Sequence, residues 1–134
     1  MRLAEYTDYT LRVLMYCAAN PQRLVTIAEV AEVHGVSKNH LMKIVNDLRR
    51  EGLPERARGR GGGTRLLHPA SEIRIGEVVR AAESDFRLVE CFDEATNTCS
   101  ISDTCRMRRL LGSALQADFR GLDSAPLGGI VQPP

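Results

Sequence analysis

Thr26-Ile-Ala-Glu-Val-Ala-Glu-Val-His-Gly-Val-Ser-Lys-Asn-His-Leu-Met-Lys-Ile-Val-Asn-Asp-Leu-Arg-Arg50 reads as two short helices joined across one glycine. Thr26 followed by Glu29 is a capping box, in which the hydroxyl takes a first-turn amide and the carboxylate reaches back to the cap amide. The helix it starts is predicted to reach His34 and stop at Gly35, because glycine enters the left-handed conformation without steric penalty. Ser37 can cap a second helix running to Arg50 and closed by Gly52. Val30, Val36, Leu41, Ile44, Val45 and Leu48 fall on one stripe at helical spacing, and Ala31 is small enough for a crossing point. Lys38, Asn39, Met42, Lys43 and Asn46 are left on the opposite face. His34 alone breaks the pattern, since an apolar side chain would fit better there. Two helices in this order make a helix-turn-helix.

Downstream, Arg56-Ala-Arg-Gly-Arg-Gly-Gly-Gly-Thr-Arg-Leu-Leu67 holds too much glycine for a helix and reads as two short strands around a glycine-rich tip. A hairpin placed directly after a helix-turn-helix is a wing. Its glycines let the tip approach a phosphate backbone, and Arg58, Arg60 and Arg65 can contact phosphates or enter a minor groove. Pro54 stands where the first wing strand should begin, which an edge strand tolerates. A nucleotide-binding loop is rejected, because the stretch lacks the lysine of G-x-x-x-x-G-K-[ST] and opens no helix.

Upstream, Tyr9 to Ala19 is predicted as a first helix, interrupted by Asn20-Pro21. Beyond the wing, His68-Pro69-Ala70-Ser71 turns the chain into a short helix from Ile75 to Glu83, and a long helix follows from Arg106 to about Leu122. Met107, Leu110, Leu111, Ala114, Leu115 and Leu122 lie along one side of that helix. The stripe either seals a dimer or packs back on its own domain, and periodicity does not choose between them. The fold class is therefore mainly α: a winged helix-turn-helix with a small β-hairpin wing and a long C-terminal dimerisation helix. The expected division is 1–83 for DNA binding, 84–105 as a cysteine loop, 106–123 as the dimerisation helix and 124–134 as a flexible tail.

At 134 residues the chain is one domain or a small domain with an appended helix. Its 43% apolar and 26% charged residues exclude disordered and collagen-like classes. No apolar run approaches the ~20 residues of a membrane span, and Met1-Arg-Leu-Ala-Glu-Tyr-Thr-Asp8 lacks the apolar centre of a signal peptide. The expected compartment is the cytoplasm, without a membrane role. The net charge of +1 says little until it is divided. Ser37 to Arg65 carries eight basic residues against three acidic, and the remainder carries ten against fourteen. A basic segment on an otherwise acidic protein is the footprint of a face that binds a polyanion, here double-stranded DNA.

Cys91, Cys99 and Cys105 fall within fifteen residues in the spacing C-x7-C-x5-C. The segments between them, Phe92-Asp-Glu-Ala-Thr-Asn-Thr98 and Ser100-Ile-Ser-Asp-Thr104, are too polar for a core. Thiols on such a loop can converge, and soft thiolates hold zinc or iron–sulfur clusters. The gaps exceed those of most zinc-finger pairs, so iron is the expected metal. Where thiols are kept reduced, clustered cysteines bind metal more often than they form disulfides. Cys17, inside Val13-Leu-Met-Tyr-Cys-Ala-Ala19, is expected in the core. No nucleophile–base motif appears: His34, His40 and His68 lie in unrelated contexts and G-x-S-x-G is absent. An iron–sulfur electron carrier, the rival of a different class, would not need the basic segment.

Tyr6-Thr-Asp-Tyr-Thr-Leu-Arg12, the helix-turn-helix, the wing Arg58-Gly-Arg-Gly-Gly-Gly63, Ile75-Gly-Glu-Val-Val-Arg80 and three cysteines before a helix occur in that order. Together they resemble the IscR/NsrR family of bacterial winged-helix regulators, and within it the nitric-oxide-sensing branch, over roughly residues 1–123. The first cysteine gap is longer than that family usually shows. The resemblance implies a homodimer with crossing C-terminal helices, and a cluster held by the three cysteines and a non-cysteine fourth ligand. In the iron–sulfur-homeostasis branch that ligand is a histidine three residues after the last cysteine, where this chain has Arg108. In the nitric-oxide-sensing branch an aspartate in the partner's first helix serves, and Asp8 matches it. Glu90, Asp93 and Asp103 are further candidates. An oxygen ligand resembling that arrangement implies 4Fe–4S in preference to 2Fe–2S. The implied function is a repressor that releases operator DNA when nitric oxide attacks its cluster, with Ser37, Lys38, Asn39, His40 and Lys43 on the recognition helix. A regulator of iron–sulfur or redox status and a cluster-free thiol switch are the nearer alternatives.

Overall fold

The computed structural model describes residues 1–56 and 62–131. The order of elements is α1 (Glu5–Ala19), α2 (Ile27–His34), α3 (Lys38–Arg50), β1 (Pro54–Arg56), β2 (Thr64–Leu66), α4 (Ile75–Ala82), α5 (Arg106–Ser124) and α6 (Leu127–Ile130). The fold is mainly α with a small two-stranded sheet, as expected of a winged helix-turn-helix. Among the described residues no helix is long and apolar enough to cross a membrane.

The local signals around α2 and α3 resolve as predicted. Thr26 accepts from the Glu29 amide while the Glu29 carboxylate takes the Thr26 amide, so both halves of the capping box are present. Gly35 sits at φ 64° and ends α2, and the Ser37 hydroxyl accepts from the His40 amide to open α3. Val30, Ala31, Leu41, Ile44, Val45 and Leu48 are buried with Val13, Leu14 and Cys17 of α1 and Ile75, Val78 and Val79 of α4. His34, the misfit in the apolar pattern, lies at the edge of this core with its ring 6.2 Å from that of Tyr16, edge to face. Partial burial holds its pKa below the usual imidazole range.

The wing base is an antiparallel pair with Pro54 opposite Leu66 and Arg56 opposite Thr64. Val25, in the loop before α2, adds a third line to it: the Val25 and Thr64 amides each donate to the other's carbonyl at 2.8 Å. Gly63 permits this approach, since a Cβ there would stand 2.7 Å from the Val25 carbonyl oxygen. Arg58 and Arg60 of the predicted tip lie outside the described residues.

Three boundaries differ from the expectation. α1 begins at Glu5, four residues before Tyr9, because its buried face continues through Thr7 and Thr10. Thr10 satisfies its hydroxyl by donating to the Tyr6 carbonyl at 2.7 Å, so a polar side chain occupies a core position. α5 runs two residues past Leu122, to Ser124. The segment expected as a flexible tail folds back: Leu127 is fully buried and its amide donates to the Ile73 carbonyl at 2.7 Å, while the Ile75 amide donates to Ala125 at 3.0 Å. One apolar side chain and two backbone bonds anchor residues 125–131 on the start of α4.

A candidate nucleic-acid interface and a cysteine loop

The exposed face of α3 carries Lys38, Asn39, Met42, Lys43 and Asn46, with Arg49 and Arg50 at its end. α1 holds that helix from behind through two tyrosines. The Tyr6 hydroxyl donates to Asp47 at 2.6 Å, and the Tyr9 ring meets His40 edge-on at 5.2 Å. Burial together with the bond to Asp47 pushes the Tyr6 phenol up to about 12, and the same bond holds the Asp47 carboxyl below its usual range. Lys43 extends over the Tyr6 ring, its ammonium 5.8 Å from the centroid. His40 and Lys43 are therefore partly committed to the two tyrosines, whereas Lys38 and Asn39 are exposed without a side-chain hydrogen bond or ion pair among the described residues. On the wing, Arg65 pairs across the strands with Glu55 at 2.6 Å with more than half of its side chain exposed, so a phosphate would compete for it. The supporting tyrosines escaped the sequence reading of α3, and their three-residue spacing in Tyr6-Thr-Asp-Tyr9 was the available signal.

The cysteine loop is closed by its own polar side chains. The Asp93 carboxylate accepts from the Ala95 amide at 3.1 Å, the Thr96 hydroxyl at 2.9 Å and Arg87 at 2.5 Å. The Glu90 carboxylate accepts from the Thr98 amide at 2.9 Å and its hydroxyl at 2.6 Å. Asn97 accepts from the Cys99 amide, and the Ser102 hydroxyl donates to the Cys99 carbonyl at 2.6 Å. These bonds hold the Glu90 and Asp93 carboxyls below the ordinary range. Cys91 is buried in the turn Glu90–Phe92 and Cys99 is exposed. Cys105 is half-buried at the N-cap of α5, its sulfur accepting from the Arg108 amide at 3.4 Å. All four cysteines are free thiols.

Asp8 lies on α1, away from the core, forked to Arg12 at 3.0 and 2.7 Å with about half of its side chain exposed. Arg12 in turn stands 5.5 Å over the Tyr9 ring. Among the described residues no three His, Cys, Asp or Glu side chains gather as a metal site within one chain. The donor set nevertheless suits an iron–sulfur cluster: three unpaired thiols on one polar loop, one of them at a helix N-terminus where negative charge is favoured. Metal binding itself supplies the free energy that draws such ligands together.

Cys17 is the contrasting thiol. It is 3% exposed, and burial pushes it up to about 11. In the metal-free folded protein at about pH 8, iodoacetamide should alkylate Cys99 well over about tenfold faster than Cys17, as peptide mass spectrometry would show. Equal rates would contradict the core position of Cys17.

The family described as Rrf2, iron-dependent transcriptional regulators, matches residues 3–133. The HTH-type transcriptional regulator NsrR of Bacillus subtilis is 47% identical over 133 residues, which cover 98% of this chain and 91% of the relative. The crystal structure of Staphylococcus aureus CymR in its oxidized form superposes with a TM-score of 0.78 at 25% identity, over 98% of this chain and 97% of that one. The IscR of T. potens shares the fold at a TM-score of 0.78 and 19% identity, over 97% of this chain and 85% of that one. A recognition helix with a free basic face, a wing base and a match along nearly the whole sequence thus agree: the chain belongs to the Rrf2 family and is a DNA-binding transcriptional regulator rather than an enzyme.

Proposed function

We propose that this protein is a cytoplasmic homodimeric repressor that senses nitric oxide through an iron–sulfur cluster, 4Fe–4S in preference to 2Fe–2S. Cys91, Cys99 and Cys105 would hold the cluster, with Asp8 of the second copy as the fourth ligand. The observation that carries this reading is the state of the loop's carboxylates. Glu90 and Asp93 are spent on closing the loop around three free thiols, whereas Asp8 stands half-exposed, and its side-chain hydrogen bonds among the described residues go to Arg12 of its own helix. A relative with 47% identity bears the name of the NsrR regulators, which supports the choice of signal. When bound, the cluster supplies iron that a small reactive gas can attack, and a carboxylate, harder than a thiolate, caps cluster iron less firmly.

The chain's own residues suggest how that event would reach DNA. Asp8 occupies the turn of α1 between Tyr6 and Tyr9, whose side chains hold Asp47 and His40 of α3. A pull on Asp8 from across the dimer therefore acts on the platform beneath the recognition helix. With Asp8 released, that constraint ends and α3 shifts relative to its twin, a two-state element biased by a ligand. Lys38, Lys43 and the wing arginines Arg58, Arg60 and Arg65 would supply phosphate contacts, and Asn39 a base contact.

Protein purified without air should be coloured, contain iron and sulfide, and release a palindromic operator as nitric oxide is added. Colourless protein carrying zinc would end the sensor reading. The exposed Cys99 favours, as a second reading, a cluster-free thiol switch, for which iron-free protein would bind and release DNA with peroxide alone. Asp8→Ala should keep fold and dimer, since a lost first-turn acid costs less than ~1 kcal/mol, yet lose iron to chelators faster and change its rate with nitric oxide. An Asp8→Ala protein that matches wild type in both would move the fourth site elsewhere, to Asp103 first.

A further inference from the structure

α5 leaves the winged helix through a joint built from five residues. The Arg80 guanidinium on α4 forks onto the Asp123 carboxylate at 2.5 and 2.8 Å. The same guanidinium lies over the Phe119 ring at 4.3 Å, and Phe119 meets Phe86 edge-on at 4.9 Å. Gly76, one turn before Arg80, leaves the space in which Asp123 sits: a Cβ there would stand 2.8 Å from the Asp123 Cγ and nearer still to its oxygen. The ion pair is nearly half-exposed on both sides, so its contribution to stability is small. A planar fork clasped by a carboxylate on one edge and stacked on a ring is instead a device for fixing an angle.

The angle matters because α5 is a lever. Its C-terminal end is tied to the start of α4 by the bonds between Ile75 and Ala125 and between Leu127 and Ile73. None of its 19 residues is buried within the chain, and its first turns carry the exposed Met107 and Leu110. From Asp123 to Arg106 the helix spans about 25 Å, and a turn of about 10° at the joint moves the far end by about 4 Å. That displacement compares with the rise of about 3.4 Å per base pair along DNA.

We propose that Gly76, Arg80, Phe119 and Asp123 are positioning residues that set the operator half-site spacing accepted by the dimer. They do so by fixing the angle between α5 and the DNA-reading domain. The inference rests on the dimeric, operator-binding reading given above. It predicts that spacing and half-site sequence are separable properties: the first belongs to this joint, the second to α3.

The probe is the palindromic duplex that the wild-type protein selects from a random library, with versions whose centre is lengthened or shortened by one base pair. Each such step rotates one half-site by about 35° about the DNA axis. Wild type should prefer its selected spacing by about thirtyfold or more over either neighbour, a ratio within the usual range for a misplaced contact set. Gly76→Ala, Arg80→Lys and Asp123→Asn should remain dimers by sedimentation and keep the half-site sequence, while the ratio falls to about threefold or the optimum moves. Arg80→Lys is the sharpest of these, because it keeps the charge and loses the fork and the stack. If Gly76→Ala does not fold, the other two decide. Folded dimeric variants with the wild-type ratio, or with an equal loss at every spacing, would overturn the proposal. A wild-type protein that sediments as a monomer or ignores spacing would remove the dimeric reading beneath it.

Discussion

Alanine at Cys99 is expected to leave anaerobically purified protein without iron and with no response of DNA binding to nitric oxide, whereas Cys17→Ala keeps the wild-type iron content. Cys99 is the cleanest position because it is exposed and its side chain supports nothing else in the chain. Only its backbone is engaged, through the amide and carbonyl bonds to Asn97 and Ser102. Structural zinc in zinc-finger peptides owes about 10–16 kcal/mol to its full ligand set, and a cluster that loses one of three sulfurs forfeits a comparable share of its own binding free energy. Cys91 is buried, and its alanine variant would also loosen the turn it fills. Cys105 doubles as the N-cap of α5, where losing the acceptor costs about 0.5–2 kcal/mol. Cys105→Ser separates the two roles, because a hydroxyl caps a helix well and replaces the soft thiolate of a cluster poorly. Cys17→Ala pays about 1 kcal/mol for a small cavity and nothing in metal. Elemental analysis with a visible spectrum reads the outcome, and iron at wild-type stoichiometry in Cys99→Ala would place the metal elsewhere.

The parts of this fold that are legible in the sequence are those whose cause lies within a few residues. Thr26 with Glu29, the left-handed Gly35 and the Ser37 cap each close their hydrogen bonds inside one turn, so α2 and α3 emerge with the predicted bounds. The start of α1 does not, because Thr7 and Thr10 are buried while looking polar, and only the helices packed on them make that burial worthwhile. His34 reads as a misfit for the same reason: its partner Tyr16 lies in another helix. Leu127 has too few apolar neighbours to announce itself, yet it is held by Ile73 across more than fifty residues.

The candidate site divides in the same way. The basic face of α3 and the composition of the cysteine loop are local properties and stand in the sequence. The tyrosine platform under α3 and the joint between Arg80 and Asp123 depend on contacts between distant helices, so no periodicity displays them. Convergence of the thiols is a third kind of property. On the proposed reading it belongs to a metal and to a second chain, and neither is encoded as a pattern within one loop.

Met107→Glu with Leu110→Glu is expected to split the proposed dimer and with it most operator affinity. On the proposed reading the stripe on α5, which periodicity left open between two uses, is divided between them. Its C-terminal end turns Phe119 and Leu122 onto the chain's own core. Met107 and Leu110, at 58% and 63% exposure, stay bare on the first turns, with Ala114 one turn further on. Two-fold symmetry makes each substitution count twice. Losing one buried leucine per copy removes about 3–6 kcal/mol per dimer, or about two to four decades in the dissociation constant. Facing carboxylates in an apolar seam add to that loss. A monomer reads one half-site and forfeits the second, so affinity for the palindrome should fall steeply while contacts to a single half-site persist. Gln116→Glu, on an exposed part of the same helix, introduces the same charge away from the stripe and should leave the dimer whole. Sedimentation of the three proteins, followed by titration of full and half operators, separates a seam from a solvated face. A Met107→Glu, Leu110→Glu protein that sediments and binds as wild type would assign the whole stripe to solvent and move the dimer contact off α5.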